Sequence, residues 1–161
     1  MSGLTFSKLA AGCVWWGAFC LGLAAPAMAD GPLMPAQVPP VYKQECAACH
    51  VAYAPGLLPM ASWRRIMMGL ERHFGTDAAL ELVQVQQVSA WLQANAGTYK
   101  RVREEPPQDR ITRSAWFSRK HREVDASVWQ RASIRSAAQC SACHAQAGQG
   151  NFDEHQVRIP R

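Results

Sequence analysis

Two five-residue runs carry the most specific chemistry in this chain: Cys46-Ala47-Ala48-Cys49-His50 and Cys140-Ser141-Ala142-Cys143-His144. Two thiols three positions apart, followed at once by histidine, suit covalent attachment of a haem. Each thiol adds to one vinyl group, the two-residue gap lets a turn of chain span the macrocycle edge, and the histidine becomes the proximal iron ligand. A disulfide within each pair closes too small a loop for much entropic stabilisation, and it leaves the histidine without a role, twice. A thioredoxin-type redox pair or half a zinc site would account for one such run. Pooling both runs into one all-thiolate zinc site would strand both histidines. The repeat, with no cysteine left over once an exported chain is processed, points to two covalently bound haem c groups. Cys46, Cys49, Cys140 and Cys143 are the attachment residues, and His50 and His144 the proximal ligands.

What each iron does depends on its sixth ligand. A strong ligand there makes a low-spin electron carrier, whereas an open position admits gas or peroxide. Of five histidines, His73, His121 and His155 remain. His73 continues the helical face of Ile66 and Leu70, which directs it toward a haem; its ordinary reading is a core residue or one favoured at a helix C-terminus. His121 lies four residues after Phe117, on the same helical side. Its ordinary reading is a surface histidine within Arg119-Lys120-His121-Arg122. His155 sits in a polar tail and is expected to be exposed, although it competes with His121 for the second iron. His73 follows His50 by 23 residues, and His121 precedes His144 by the same interval. Methionine is the competing ligand type in the first half, where Met60 and Met67 also have a plain packing role; the second half has none.

The elements that must position these groups read as predominantly helical, with no convincing strand pattern. Residues 1–29 form a signal peptide: Lys8 precedes an apolar run from Leu9 to Ala25, and Ala27-Met28-Ala29 sets cleavage before Asp30. A retained transmembrane anchor and a lipoprotein site at Cys13 are the alternatives. The mature 132 residues open with a proline-rich extended leader to Pro40. A short helix over Val41 to His50 enters the first motif, and Tyr53 to Pro59 loops around the haem edge. A helix from Pro59 to about His73 and a second one, capped by Asp77 and ending near Gly97, complete a first lobe over 30–103. Its apolar face takes in Leu80, Val83, Val88, Trp91 and Leu92. Glu104-Glu105-Pro106-Pro107-Gln108-Asp109 marks the junction to a second lobe over 104–161. There Ile111 to His121 holds Trp116-Phe117, and Asp125 caps a helix through Val128 and Ile134 into the second motif. So small a protein buries little core of its own, and two haems would add apolar surface.

Charge adds little about partners. The formal net charge of +5 falls by one with Lys8, and four haem propionates would cancel most of the remainder, so the basic character is no argument for nucleic acid. Ten Lys and Arg lie between Lys100 and Arg135 against five acids. They are either a solvated, internally paired surface or a set that pairs propionates and docks an acidic redox partner.

The run Cys46-Ala-Ala-Cys-His50-Val-Ala-Tyr-Ala-Pro55-Gly-Leu-Leu-Pro59, then Ser62-Trp63 and His73-Phe74-Gly75, resembles the small bacterial dihaem cytochromes c. So do Trp116-Phe117 with His121, the second motif and the closing Ile159-Pro160. The resemblance spans nearly all of the mature chain. It implies a mainly α fold of two small haem-binding lobes, the first similar to class I cytochromes c and the second less regular. It further implies two bis-histidine low-spin haems of low potential, with the distal roles carried by position onto His73 and His121. Members of that family are associated with an oxygen-binding monohaem cytochrome as acceptor and some with a membrane cytochrome b. The expectation is therefore a monomeric periplasmic electron carrier working by outer-sphere transfer, without a membrane span after processing. A small haem enzyme of the peroxidase or nitrogen-oxide reductase type, with one open iron, is the rival reading; a subunit of a larger redox complex is another.

Overall fold

The computed structural model describes residues 33–98, 102 and 104–161; the expected signal peptide and the expected cleavage site before Asp30 lie outside them. Four α-helices, α1 (Pro40–Cys46), α2 (Met60–Met68), α3 (Leu82–Ala94) and α4 (Ala115–Lys120), are joined by short 3-10 turns. Among the described residues there is no strand, only a single bridge between His73 and Thr76, so the mainly α expectation holds.

Helix α1 begins at Pro40, whose missing amide costs nothing in the first turn. It ends at Cys46, four residues short of the expected His50, because residues 47–49 turn away from the helix axis. Helices α2 and α3 then pack together over Tyr42, Leu58, Trp63, Met67, Leu70, Val88 and Leu92, all buried. The Trp63 indole N–H donates to the Pro55 carbonyl at 2.7 Å, which folds the Tyr53 to Pro59 segment onto α2. Gly97 is required by close approach: a Cβ there would lie 2.6 Å from the Gly56 carbonyl oxygen and from Val102.

Two boundaries depart from the periodicity. Helix α2 stops at Met68, since Gly69 leaves the helical region, and a 3-10 turn over Leu70–Arg72 delivers His73. The chain then reverses through Phe74 at φ 52° and Gly75 at φ 99°, a conformation that favours glycine at the second position. His73 is thus presented by a turn, not by a continued helix face. Helix α3 starts at Leu82 because Glu81 and Gln84 form a reciprocal capping box. Asp77, the expected cap, instead accepts the Ala79 amide. The buried face falls on Val88 and Leu92, with Val85 and Trp91 beside them; Val83, expected inside, is 70% exposed, because five residues set it roughly 140° around the helix from Val88.

The second half is held by turns. Ser114 caps α4 by accepting the Phe117 amide. Asp125 does cap an element, but its carboxylate takes both the amide and the hydroxyl of Ser127, and a 3-10 turn over Ala126–Gln130 results. The chain becomes extended at Arg131 and left-handed at Arg135 (φ 70°). The expected helix into the second motif therefore does not form.

Between the halves, Arg65 grips Asp109 with two hydrogen bonds, at 2.9 and 2.6 Å, and Glu105 at 2.6 Å. This fork holds Gln108 and Asp109 in left-handed conformations (φ 53° and 55°). Hydrogen bonding to Arg65 holds the Asp109 carboxyl below its ordinary value. A carboxyl whose folded-state pKa is depressed stabilises the protein above the unfolded-state value, and that stability is lost as pH falls through the folded-state value. Asp109→Asn is accordingly expected to lower the melting temperature at pH 7, with the gap to the parent protein closing in acid below about pH 4; a thermal melt series against pH checks it. Leu92→Ala, at a fully buried position, is expected to cost about 2–5 kcal/mol in denaturant unfolding of the haem-loaded protein.

Candidate functional site

The first motif sits where α1 gives out. Cys46 closes the helix, Cys49 is exposed in the turn that follows, and His50 comes next. All four motif cysteines carry free thiols, which stand in for the thioether sulfurs of an attached haem. Burial, then the neighbouring Glu45 charge, pushes the Cys46 thiol up to about 11. The His50 Nδ1 lies 2.7 Å from the Val51 carbonyl oxygen. A proton on Nδ1 completes that hydrogen bond and leaves the Nε2 lone pair free for a metal.

Facing His50 is His73. Their ring centres are 6.2 Å apart with planes inclined by 25°. Burial, the nearby His50 and the Arg110 guanidinium all lower the His73 pKa, favouring the neutral imidazole that ligates. Arg110 lies 4.3 Å from the Phe74 ring centre, beside this site.

The second motif is a 3-10 turn, Cys140–Ala142, with the His144 amide donating to Cys140 at 2.8 Å. The tail is tied back to it by the Arg158 amide on the Cys143 carbonyl, at 2.9 Å. His121 follows the last residue of α4, and its Nδ1 lies 2.9 Å from the Phe117 carbonyl oxygen. The Phe117 ring packs 4.0 Å from the His121 ring, and Trp129 meets His121 edge-on at 5.7 Å. His121 and His144 have ring centres 6.2 Å apart, with planes inclined by 80°. Burial, then His121, lowers the His144 pKa. Cys140, Cys143, His121 and His144 all line one cavity of about 300 Å³. Leu33, Tyr53 and Leu57, from the first half, line it too.

These distances test the fit of a haem. A histidine nitrogen lies about 2.0–2.1 Å from a first-row metal and about 1.2 Å from its own ring centre, so trans imidazoles on one ion have centres about 6.4 Å apart. Both pairs come close to that value. Among the described residues no group of three or more His, Cys, Asp or Glu converges on a metal position. Each imidazole pair, with a Cys-x-x-Cys segment beside one of its histidines, would suit a covalently attached iron macrocycle. The residues fit the group.

The other candidates are placed elsewhere. His155 is exposed, with its amide donating to Asp153, and it is not among the cavity's lining residues. Met67 belongs to the core, while Met60 and Met68 are exposed. Several of the basic residues engage the chain itself: Lys120 meets Glu154 at 3.3 Å and Arg131 donates to the Pro160 carbonyl at 2.7 Å. Lys100, Arg101 and Arg103 lie outside the described residues. Sequence reasoning assigned no role to Tyr53, whose ring centre is 4.8 Å from that of His50, or to Phe152, 5.4 Å from His144. An aromatic three residues beyond a candidate ligand was the available signal for Tyr53; Phe152 offered none.

Comparison with known proteins shows the family. Residues 42–152 match the family described as dihaem cytochrome c. A solved dihaem cytochrome c from Rhodobacter sphaeroides is 39% identical, with a TM-score of 0.64, covering 71% of this chain and 97% of its own. A dihaem cytochrome type c from Shewanella baltica is 36% identical, with a TM-score of 0.66, covering 76% of this chain and 95% of its own. No curated protein matches the chain.

Proposed function

This chain belongs to the dihaem cytochrome c family, and we propose that it carries electrons between redox proteins through two bis-histidine haems. Two covalently bound haem c groups come with that membership, as does an electron-transfer role. The attachment residues we assign are Cys46 and Cys49 for the first haem and Cys140 and Cys143 for the second. His50 with His73, and His144 with His121, are the axial pairs. One observation carries this assignment above the others, the equal 6.2 Å separation of both imidazole pairs. When bound, each haem supplies reversible one-electron chemistry at iron, the oxidation of one balancing the reduction of the other, with no bond made or broken.

The protein residues then do the rest. Carbonyls of Val51 and Phe117 hold the Nδ1 protons of His50 and His121 and so aim Nε2 inward. Imidazole on both sides leaves no position for a substrate, which favours a carrier over a haem enzyme with an open iron. Two histidines on an iron also give a lower potential than a histidine and methionine.

The mature chain we propose runs from Asp30 in the periplasm, with lobes over 30–103 and 104–161, each bearing one motif. What supports export is the apolar run from Leu9 to Ala25 and the Ala27-Met28-Ala29 pattern. No helix among the described residues is long and apolar enough to cross a membrane. An oxygen-binding monohaem cytochrome is the acceptor we propose and a membrane cytochrome the donor, meeting the monomeric chain in weak, transient encounters.

Low-temperature electron paramagnetic resonance of the oxidised protein tests the ligation. Two low-spin ferric signals of unequal anisotropy are expected, since the near-parallel first pair splits the iron d orbitals more than the near-perpendicular second. A high-spin signal, or rapid carbon monoxide binding by the reduced protein, would return the enzyme reading. In redox titration, His73→Met is expected to raise one midpoint potential and leave the other in place; two unmoved midpoints would remove His73 from the iron. His121→Ala is expected to open one iron to carbon monoxide, whereas His155→Ala leaves the absorption spectrum as it was.

A further inference from the structure

Tyr53 touches both candidate sites. Its ring lies 4.8 Å from the His50 ring, with planes inclined by 27°. Its hydroxyl donates to the Ala138 carbonyl at 2.9 Å, 85 residues along the chain. Ala138 is two residues before Cys140, the first thiol of the second motif. Tyr53 also lines the cavity that holds His121 and His144. Its own backbone is fixed, because the buried Tyr42 hydroxyl donates to the Tyr53 carbonyl.

One side chain therefore runs from the proximal histidine of the first site to the attachment segment of the second. A rigid ring loses little freedom on burial, and its polar end is satisfied by a backbone carbonyl. That combination suits a strut. We propose that Tyr53 is a positioning residue shared by the two haem sites, holding His50 and the Ala138 to Cys140 segment at the separation across which the haems exchange electrons. The inference rests on the attachment of haem at both motifs. Its two ends act differently. The ring shields His50 from water, and water favours the more highly charged ferric state. The hydroxyl ties down the backbone that leads into Cys140, and hydrogen bonding around the site is one of the levers on a haem potential.

The test uses the haem-loaded protein and two substitutions. Tyr53→Phe keeps the ring and loses the hydroxyl; it is expected to move one of the two midpoint potentials. Tyr53→Leu loses both ends, so both midpoints are expected to move, the first-site haem downward, and electron exchange between the haems after pulsed reduction to slow. Trp63→Phe serves as the purely structural comparison. It loses a buried bond to Pro55, so it should melt earlier yet keep the parent midpoints. Haem content is measured on each protein. If Tyr53→Leu does not mature with two haems, Tyr53→Phe decides alone. Two haems in Tyr53→Phe with both midpoints unmoved overturn the strut while leaving the attachment residues standing. Fewer than two haems on the parent chain overturn the attachment and the strut together.

Discussion

An imidazole pair can share one iron only if its rings face each other across a gap of set width, and under the ligation we propose that is the requirement the rest of the chain must meet. At the first site the gap is 6.2 Å between a residue just past a helix end and a residue on a reversed turn. At the second it is again 6.2 Å, between the C-terminal end of α4 and a motif that is itself a turn. None of these four histidines lies inside a regular helix. Each is fixed by something other than helix propagation: a carbonyl on Nδ1, a backbone bond of its own, or an aromatic ring against its face. Second-shell contacts of this kind orient a ligand and fix its tautomer.

The two halves meet that requirement by different means. In the first, α2 and α3 pack a continuous apolar cluster, and the turn bearing His73 extends from it. In the second, 3-10 turns wrap a cavity lined by Phe117, Trp129 and Val157 together with the candidate ligands. The division is incomplete, since Leu33, Tyr53 and Leu57 also reach into that cavity. The Arg65 fork onto Asp109 and Glu105 adds a polar tie on the outside. Surface ion pairs are weak one at a time, but a bidentate arginine fork is the stronger geometry. Covalently bound haem would then fill the space for which the second half has no helical core.

Where periodicity and capping were strong, the elements could be read in advance. Val88 and Leu92 at helical spacing are buried as expected, and His155 lies exposed. Val83 was misassigned because the expected face was drawn too broad: Val83 lies inside α3 but roughly 140° around it from Val88. The helix expected after Asp125 stops after a 3-10 turn, because the backbone leaves the helical region at Arg131 and turns left-handed at Arg135. The path to His73 was misread for a related reason: Gly69 ends α2 one turn early, yet the following 3-10 turn and the Phe74-Gly75 reversal still bring the ring to face His50.

The sequence by itself determined the covalent chemistry, because attachment of a haem needs two thiols and a histidine at fixed short spacing, and local chain geometry guarantees their proximity. It also determined the helical class, through periodic apolar residues and the absence of alternating runs. Only the tertiary structure decided which distant histidine faces which motif, at what angle, and that one tyrosine spans both sites. Those contacts join residues 23 or 85 positions apart, and what brings such residues together is the packing of whole elements, which a short sequence pattern does not encode.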